Sequence, residues 1–350
     1  MSLSSAEAAV YDRQMRLWGV EAQHRLQKAQ VFIGGLSIMG SELSKNLVLS
    51  GINITLQDDL TVSSDCIESQ FLFSSGDFGR NRAVAALPTV KELNPLVHVR
   101  AETRALEDLE DSYFSGYSIV CVIDASMEIK ASGARLDAIC RVYKIAFLAL
   151  HTSGFYASMF VDLGPDFIFR RQMSSTSAEK PDEKKGWSQP CHVSYPSFKE
   201  YIGTRWNSLL NRKKRGPPTP LAHIRFQLLH TFQASRAIRC GALIPKDFVE
   251  DFVAFSQQKL IGNGLNQDFF SATELSAADV QIAPVCAILA GIAGREIVKI
   301  ISQQDEPICN VFLFDGSTGL VARIGSSLTH ATTRPQETLC KDRNVTFTAM

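Results

Sequence analysis

Six residues, Gly35-Leu36-Ser37-Ile38-Met39-Gly40, have the length and setting of a loop that cradles phosphate. Such loops use glycine so that backbone N–H groups at a helix N-terminus can come close to a phosphate oxygen. Here the outer glycines, Gly35 and Gly40, remain, while Ser37 and Ile38 stand at the inner positions. A position that needs positive φ or a missing Cβ tolerates Ser poorly and β-branched Ile worse, so the spacing predicts a degenerate nucleotide pocket. The elements that would position the loop lie around it. The apolar run 29–34 reads as a buried strand, 40–49 has helical apolar spacing up to a stop at Gly51, and 52–56 reads as a second strand that ends on Asp58 and Asp59. Strand, tight loop, helix, strand and acidic end make the layout of a dinucleotide or ATP site. Taken alone, the segment leaves two readings even: a lapsed nucleotide site in a Rossmann-like fold, and a βαβ unit that never held a nucleotide.

Upstream lies Tyr11-Asp12-Arg13-Gln14-Met15-Arg16-Leu17-Trp18-Gly19, followed by a helical stretch at 21–28. Downstream, in order, come Gln70-Phe71-Leu72-Phe73, Gly79-Arg80-Asn81-Arg82-Ala83 and Leu93-Asn94-Pro95. Near the end stand Ala283-Pro284-Val285-Cys286-Ala287, opening an apolar helix, and Phe312-Leu313-Phe314-Asp315-Gly316, a closing strand and turn. Together and in this order, these segments resemble the activating enzymes of ubiquitin-like proteins, a family that includes the bacterial MoeB/ThiF-type adenylyltransferases. The resemblance implies a ThiF-type adenylation fold, a mostly parallel sheet flanked by helices. It also implies that Arg13 crosses a dimer interface to the ATP phosphates of the partner half. A guanidinium suits that task, because it is always charged and presents a planar fork of donors. The alternative is that Arg13 and Arg16 merely pair with acidic neighbours on a helix.

The positions that carry catalysis in active members are changed here. Asp58 matches their ribose-binding Asp. Their Asn and Arg before Gln-Phe-Leu-Phe fall at Glu68 and Ser69, where a carboxylate would repel phosphate and the cation is missing. Their catalytic Lys corresponds to Arg82, which keeps charge but not the compact ammonium geometry. Their magnesium-binding Asp falls near Ala125-Ser126, for which Asp124 or Glu128 could stand in. The resemblance therefore implies no cofactor and no metal in this chain's own pocket, with ATP and magnesium held by the partner.

A complete activating enzyme also needs a cysteine nucleophile. The eight cysteines stand singly at 66, 121, 140, 191, 240, 286, 309 and 340, with no Cys-x-x-Cys pair for zinc and no sequence marking one as activated. Cys121, Cys140 and Cys286 lie in apolar runs and read as core. Scattered, apolar-embedded thiols point to a reducing compartment. With 36 basic and 36 acidic residues, the chain has no net pull toward nucleic acid or an acidic membrane. No signal-peptide pattern opens it, and no apolar run reaches the roughly 20 residues needed to span a bilayer.

Organisation follows from composition shifts. Residues 1–170 and 275–326 read as the adenylation half, 171–274 as a polar linker plus a helical insert, with helical spacing at 198–211 and 221–238, and 327–350 as a flexible tail. The basic run Arg212-Lys213-Lys214-Arg215 suggests nuclear import, with a solvated loop as the plainer reading. Within the family, the short length, degenerate loop and absent cysteine domain resemble the non-cysteine half of the heterodimers that activate SUMO-type modifiers. That resemblance implies an obligate, larger, cysteine-bearing partner that performs adenylation and thioester formation, with Trp18 and the helix at 283–301 at the shared interface or in the subunit's own core. Alternatives are the inactive half of a neddylation-type enzyme, a self-sufficient homodimeric adenylyltransferase, and a Rossmann oxidoreductase. The last leaves Arg13 without a role.

Overall fold

In the computed structural model, the described residues are 5–125, 132–172, 186–204, 206, 221–239, 242, 244–276 and 280–324. Among them the helices are α1 (Ser5–Trp18), α2 (Val20–Lys28), α3 (Ile38–Leu49), α4 (Ser64–Ser69), α5 (Arg82–Leu93), α6 (Ser132–Tyr143), α7 (Phe198–Ile202), α8 (Leu221–Ser235), α9 (Val249–Gly262), α10 (Ala272–Ser276) and α11 (Ala283–Ser302). The strands are β1 (Gln30–Gly34), β2 (Asn53–Gln57), β3 (Val99–Glu102), β4 (Ile119–Ile123), β5 (Ala146–Ser153), β6 (Tyr156–Asp162), β7 (Phe167–Phe169), β8 (Cys191–Val193), β9 (Val311–Asp315) and β10 (Leu320–Ile324). The expected strands at 29–34 and 52–56 and the helix at 283–301 all form, with ends shifted by two residues or fewer.

One sheet organises the fold, in the order β10-β9-β6-β5-β4-β1-β2-β3. Strands β3, β2, β1, β4 and β5 run parallel, whereas β6, β9 and β10 join antiparallel. This is the doubly wound arrangement anticipated from the loop, with the order reversing at β1 and β4, where α/β sheets open a ligand crevice. Side chains alternate cleanly between faces. Val31, Ile33, Cys121 and Leu148 face a core shared with α3, α5 and α11, whereas Phe32, Val120, Val122 and Phe147 face a second core built by α6 through α9. The second face is thus covered largely by residues from 198 onward. Phe198, Tyr201, Phe226, Phe232 and Phe252 supply much of that layer, and Phe198 packs edge-on to Phe147 and Phe160.

Two glycines fix the β1–α3 turn. Gly35 has φ +96°, and a Cβ on Gly40 would stand 2.1 Å from the Gly35 carbonyl oxygen, so the first turn of α3 touches the loop backbone. Ser37 and Ile38 are not strained, which corrects the expectation drawn from their types. Ser37 is an extended N-cap residue at φ −72°, and Ile38 begins α3 with its side chain in the core.

The interior of the second core is unusually polar. His151 of β5 and His223 and His230 of α8 are all buried, with the His151 and His230 rings 5.2 Å apart and His223 4.6 Å from the Tyr201 ring. Burial pulls His151 down to about 4 and His223 to about 3. Tail residues 327–350, the linker residues from 173 to 185 and the basic run at 212–215 lie outside the described residues.

Two outcomes follow from this packing. Gly40→Ala should lower stability by about 1–3 kcal/mol through overpacking, read as a lower midpoint in urea unfolding. The buried histidines stay neutral when folded but take up protons once unfolded below about pH 6.5, so their contribution to stability should fall as pH drops from 6.5 toward 4. Each such histidine contributes a slope of roughly 1.4 kcal/mol per pH unit in that window. Buried Asp124, lifted to about 7, acts in the opposite direction, so the check compares the urea midpoint at pH 7 and pH 5 in the parent and in His223→Gln: the parent should lose more stability on acidification, and an equal change in both would refute it.

Candidate functional site

The crevice at the carboxyl ends of β1 and β2 is organised by Asp58, 3% exposed. One carboxylate oxygen accepts the Leu36 N–H at 2.7 Å and the other accepts the Leu60 N–H at 2.9 Å, so a buried acid ties the glycine loop to the chain leaving β2. Burial pushes its carboxyl above the usual range, opposed by those two N–H groups and by the nearby Arg82 and Arg239 guanidinium groups. Arg82 stands 3.8 Å from Asp58 through Nη1 and donates its Nε–H to the Thr61 carbonyl at 3.1 Å. Asn81 accepts the Val84 N–H as the N-cap of α5 and donates to the Asp58 carbonyl at 2.7 Å.

The next acid along is also taken. Asp59 receives a two-pronged contact from Arg239, Nη1 at 2.7 Å and Nη2 at 2.6 Å, and that contact holds its carboxyl below the usual range. Arg239 follows α8, 180 residues downstream of Asp59, so nothing local in the sequence signals the pairing.

Other expected positions fall away from this cluster. Glu68 and Ser69 lie exposed on α4, Ser69 donating to the Asp65 carbonyl at 2.6 Å, and they place no cation at the crevice. Gln70 points inward instead and accepts from Ser41 Oγ at 2.5 Å. Asp124 ends β4 with φ +52°. Its carboxylate accepts the Thr152 N–H at 3.3 Å and the Gln281 amide at 3.4 Å, and burial lifts its carboxyl to about 7. Ser126 and Glu128 lie outside the described residues, as do Cys240 and Cys340. Cys121, Cys140 and Cys286 are buried core thiols, with burial raising all three. Among the described residues no group of His, Cys, Asp and Glu could hold a metal ion, and no helix is long and apolar enough to cross a membrane.

Each oxygen of Asp58 already accepts one backbone N–H, Arg82 faces Asp58, and Arg239 is paired with Asp59. The α3 N-terminus points at this crevice, and the charges around it are matched to one another.

Arg13 lies elsewhere. It is exposed on α1, and among the described residues it makes no ion pair, whereas Arg16 pairs with Asp12 at 2.9 Å. Its neighbour Gln14 donates to the Leu49 carbonyl at the C-terminal end of α3. A 12-residue helix is about 18 Å long, which is the distance separating that end from the glycine loop.

Comparison with known proteins agrees with this architecture. The sequence matches the ThiF family over residues 11–335. It is 34% identical to SUMO-activating enzyme subunit 1 of Xenopus tropicalis, covering 93% of this chain and 97% of that protein. It is 31% identical to the Homo sapiens SUMO-activating enzyme subunit 1, covering 91% and 94%. Among solved structures, the crystal structure of selenomethionine PaaA superposes with a TM-score of 0.54 at 16% identity, covering 92% of this chain and 74% of that one, a likeness of fold. The chain therefore belongs to the ThiF family, among the subunit 1 proteins of SUMO-activating enzymes.

Proposed function

We propose that this chain is the non-catalytic subunit of a heterodimeric SUMO-activating enzyme, supporting ATP-dependent adenylation and thioester formation on a larger, cysteine-bearing partner. The observation that carries this reading is the self-satisfied crevice. Asp58 spends its oxygens on Leu36 and Leu60, and both nearby arginines are paired with acids. Such pairing leaves the pocket poorly equipped for a triphosphate, which supports assigning ATP and magnesium to the partner. The same charge pattern disfavours a self-sufficient homodimer.

Arg13 supplies what this half can contribute. It stands exposed, without an ion-pair partner among the described residues and a helix length from its own glycine loop, which suits a guanidinium that serves a neighbouring subunit. In the partner's site it would stabilise charge on the triphosphate as the modifier's C-terminal carboxylate attacks the α-phosphate. The partner's docking surface includes α11, whose outer face exposes Pro284, Ala287, Ile288 and Gly291. Trp18 serves its own subunit instead, packing on the core with its indole N–H donated to Gln23 at 3.0 Å. An obligate apolar interface accounts for such an uncovered face. The basic run at 212–215 supports a nuclear location.

ATP–pyrophosphate exchange with SUMO tests the reading. Exchange is expected only when the larger subunit is added, and exchange by the chain alone would refute it. Arg13→Ala should leave assembly intact while slowing exchange on the order of 10²–10³-fold, the loss seen when a preorganised charge donor is removed. An unchanged rate in the mutant heterodimer would end the trans-arginine assignment.

A further inference from the structure

Leu93-Asn94-Pro95 has no nucleotide-facing part in the function above. Asn94 is 4% exposed at the end of α5, where α1, α3 and α5 meet. Its Nδ2 donates to the Tyr11 hydroxyl at 2.8 Å and to the Val48 carbonyl at 2.9 Å, and its Oδ1 accepts the Leu96 N–H at 3.1 Å. A primary amide has two N–H donors and one oxygen, and here each is engaged. One partner lies on α1, one in the last turn of α3, and the third holds the turn beyond α5.

The Tyr11 ring is seated as closely as its hydroxyl. It lies against Gly51, at φ +82°, where a Cβ would stand 2.9 Å from Tyr11 Cζ and from Gln23 Nε2. Gln14 donates to the Leu49 carbonyl and Gln23 to the Ser50 carbonyl, while Trp18 donates to Gln23. Positions 11, 14 and 18 follow helical spacing, so α1 is held along one face. Arg13, two residues from Tyr11, points roughly 200° around the helix, into solvent. Whatever sets the rotation of the clamped face therefore sets the direction of Arg13.

We infer that Asn94, acting through the Tyr11 hydroxyl, is a positioning residue for Arg13. A 14-residue helix has only marginal stability by itself in water, so α1 takes its orientation from these contacts. Charge stabilisation across an interface depends on orientation, and a displacement of about 1 Å costs on the order of 10²-fold in rate. The inference rests on the assignment of Arg13 above and adds the buried group that aims it.

The test is ATP–pyrophosphate exchange by the heterodimer carrying Tyr11→Phe, Arg13→Ala or both. Tyr11→Phe keeps the ring against Gly51 and removes only the hydroxyl. It should lower kcat about five- to tenfold with KM for ATP and subunit assembly unchanged, the effect of a small misalignment. In the Arg13→Ala background it should cost nothing further, because the group it aims is gone. An equal proportional loss in both backgrounds, no loss in either, or a loss that tracks weakened assembly would overturn the inference while leaving Arg13 its role. Full exchange by Arg13→Ala alone would remove both.

Discussion

The buried carboxylate of Asp58 is the contact on which the crevice depends. It bridges the Leu36 N–H of the glycine loop and the Leu60 N–H beyond β2, and it faces Arg82 at 3.8 Å. An unpaired carboxylate would be expensive at that depth, so it persists because the loop, the strand end and a cation converge on it. The carboxylate acts as an internal fastener between the β1–α3 turn and the chain leaving β2. Close contact between Gly40 and the Gly35 carbonyl completes that turn.

Around this fastener, the two faces of the sheet carry different work. The face with α3, α5 and α11 is an ordinary apolar core, and it leaves the outer surface of α11 uncovered. The other face is closed by the helices from 198 onward, which bring His223, Arg225 and His230 into the interior with them. Such groups are costly to bury, and Arg225 offsets part of the cost by donating to the Glu274 carbonyl and lying over the Tyr156 ring. The same region returns to the crevice through Arg239, so its attachment to the sheet is both apolar and ionic.

Helix α1 has two faces with different surroundings. Its inner face is fastened to the C-terminal end of α3, far from the glycine loop, while its outer face presents Arg13. Arg13 and the glycine loop are therefore separated by roughly the length of α3.

Much was legible in the chain itself. A continuous apolar run marked the strand at 29–34, an apolar helical pattern marked the helix at 283–301, and the spacing of Gly35, Gly40 and Asp58 pointed to the doubly wound crevice. The charges at Glu68 and Arg82 could be read directly, because charge is a property of the residue itself. Strain at Ser37 and Ile38 was misread, since only the backbone reveals that positive φ falls on Gly35 and the missing Cβ on Gly40. Tertiary structure alone decided that Arg239 pairs with Asp59, that Asn94 reaches Tyr11, and that the helices beyond 198 close the second face of the sheet. Hydrogen bonds and ion pairs act over about 3 Å in space whatever the separation along the chain, so partners 83 or 180 residues apart leave no trace in local spacing.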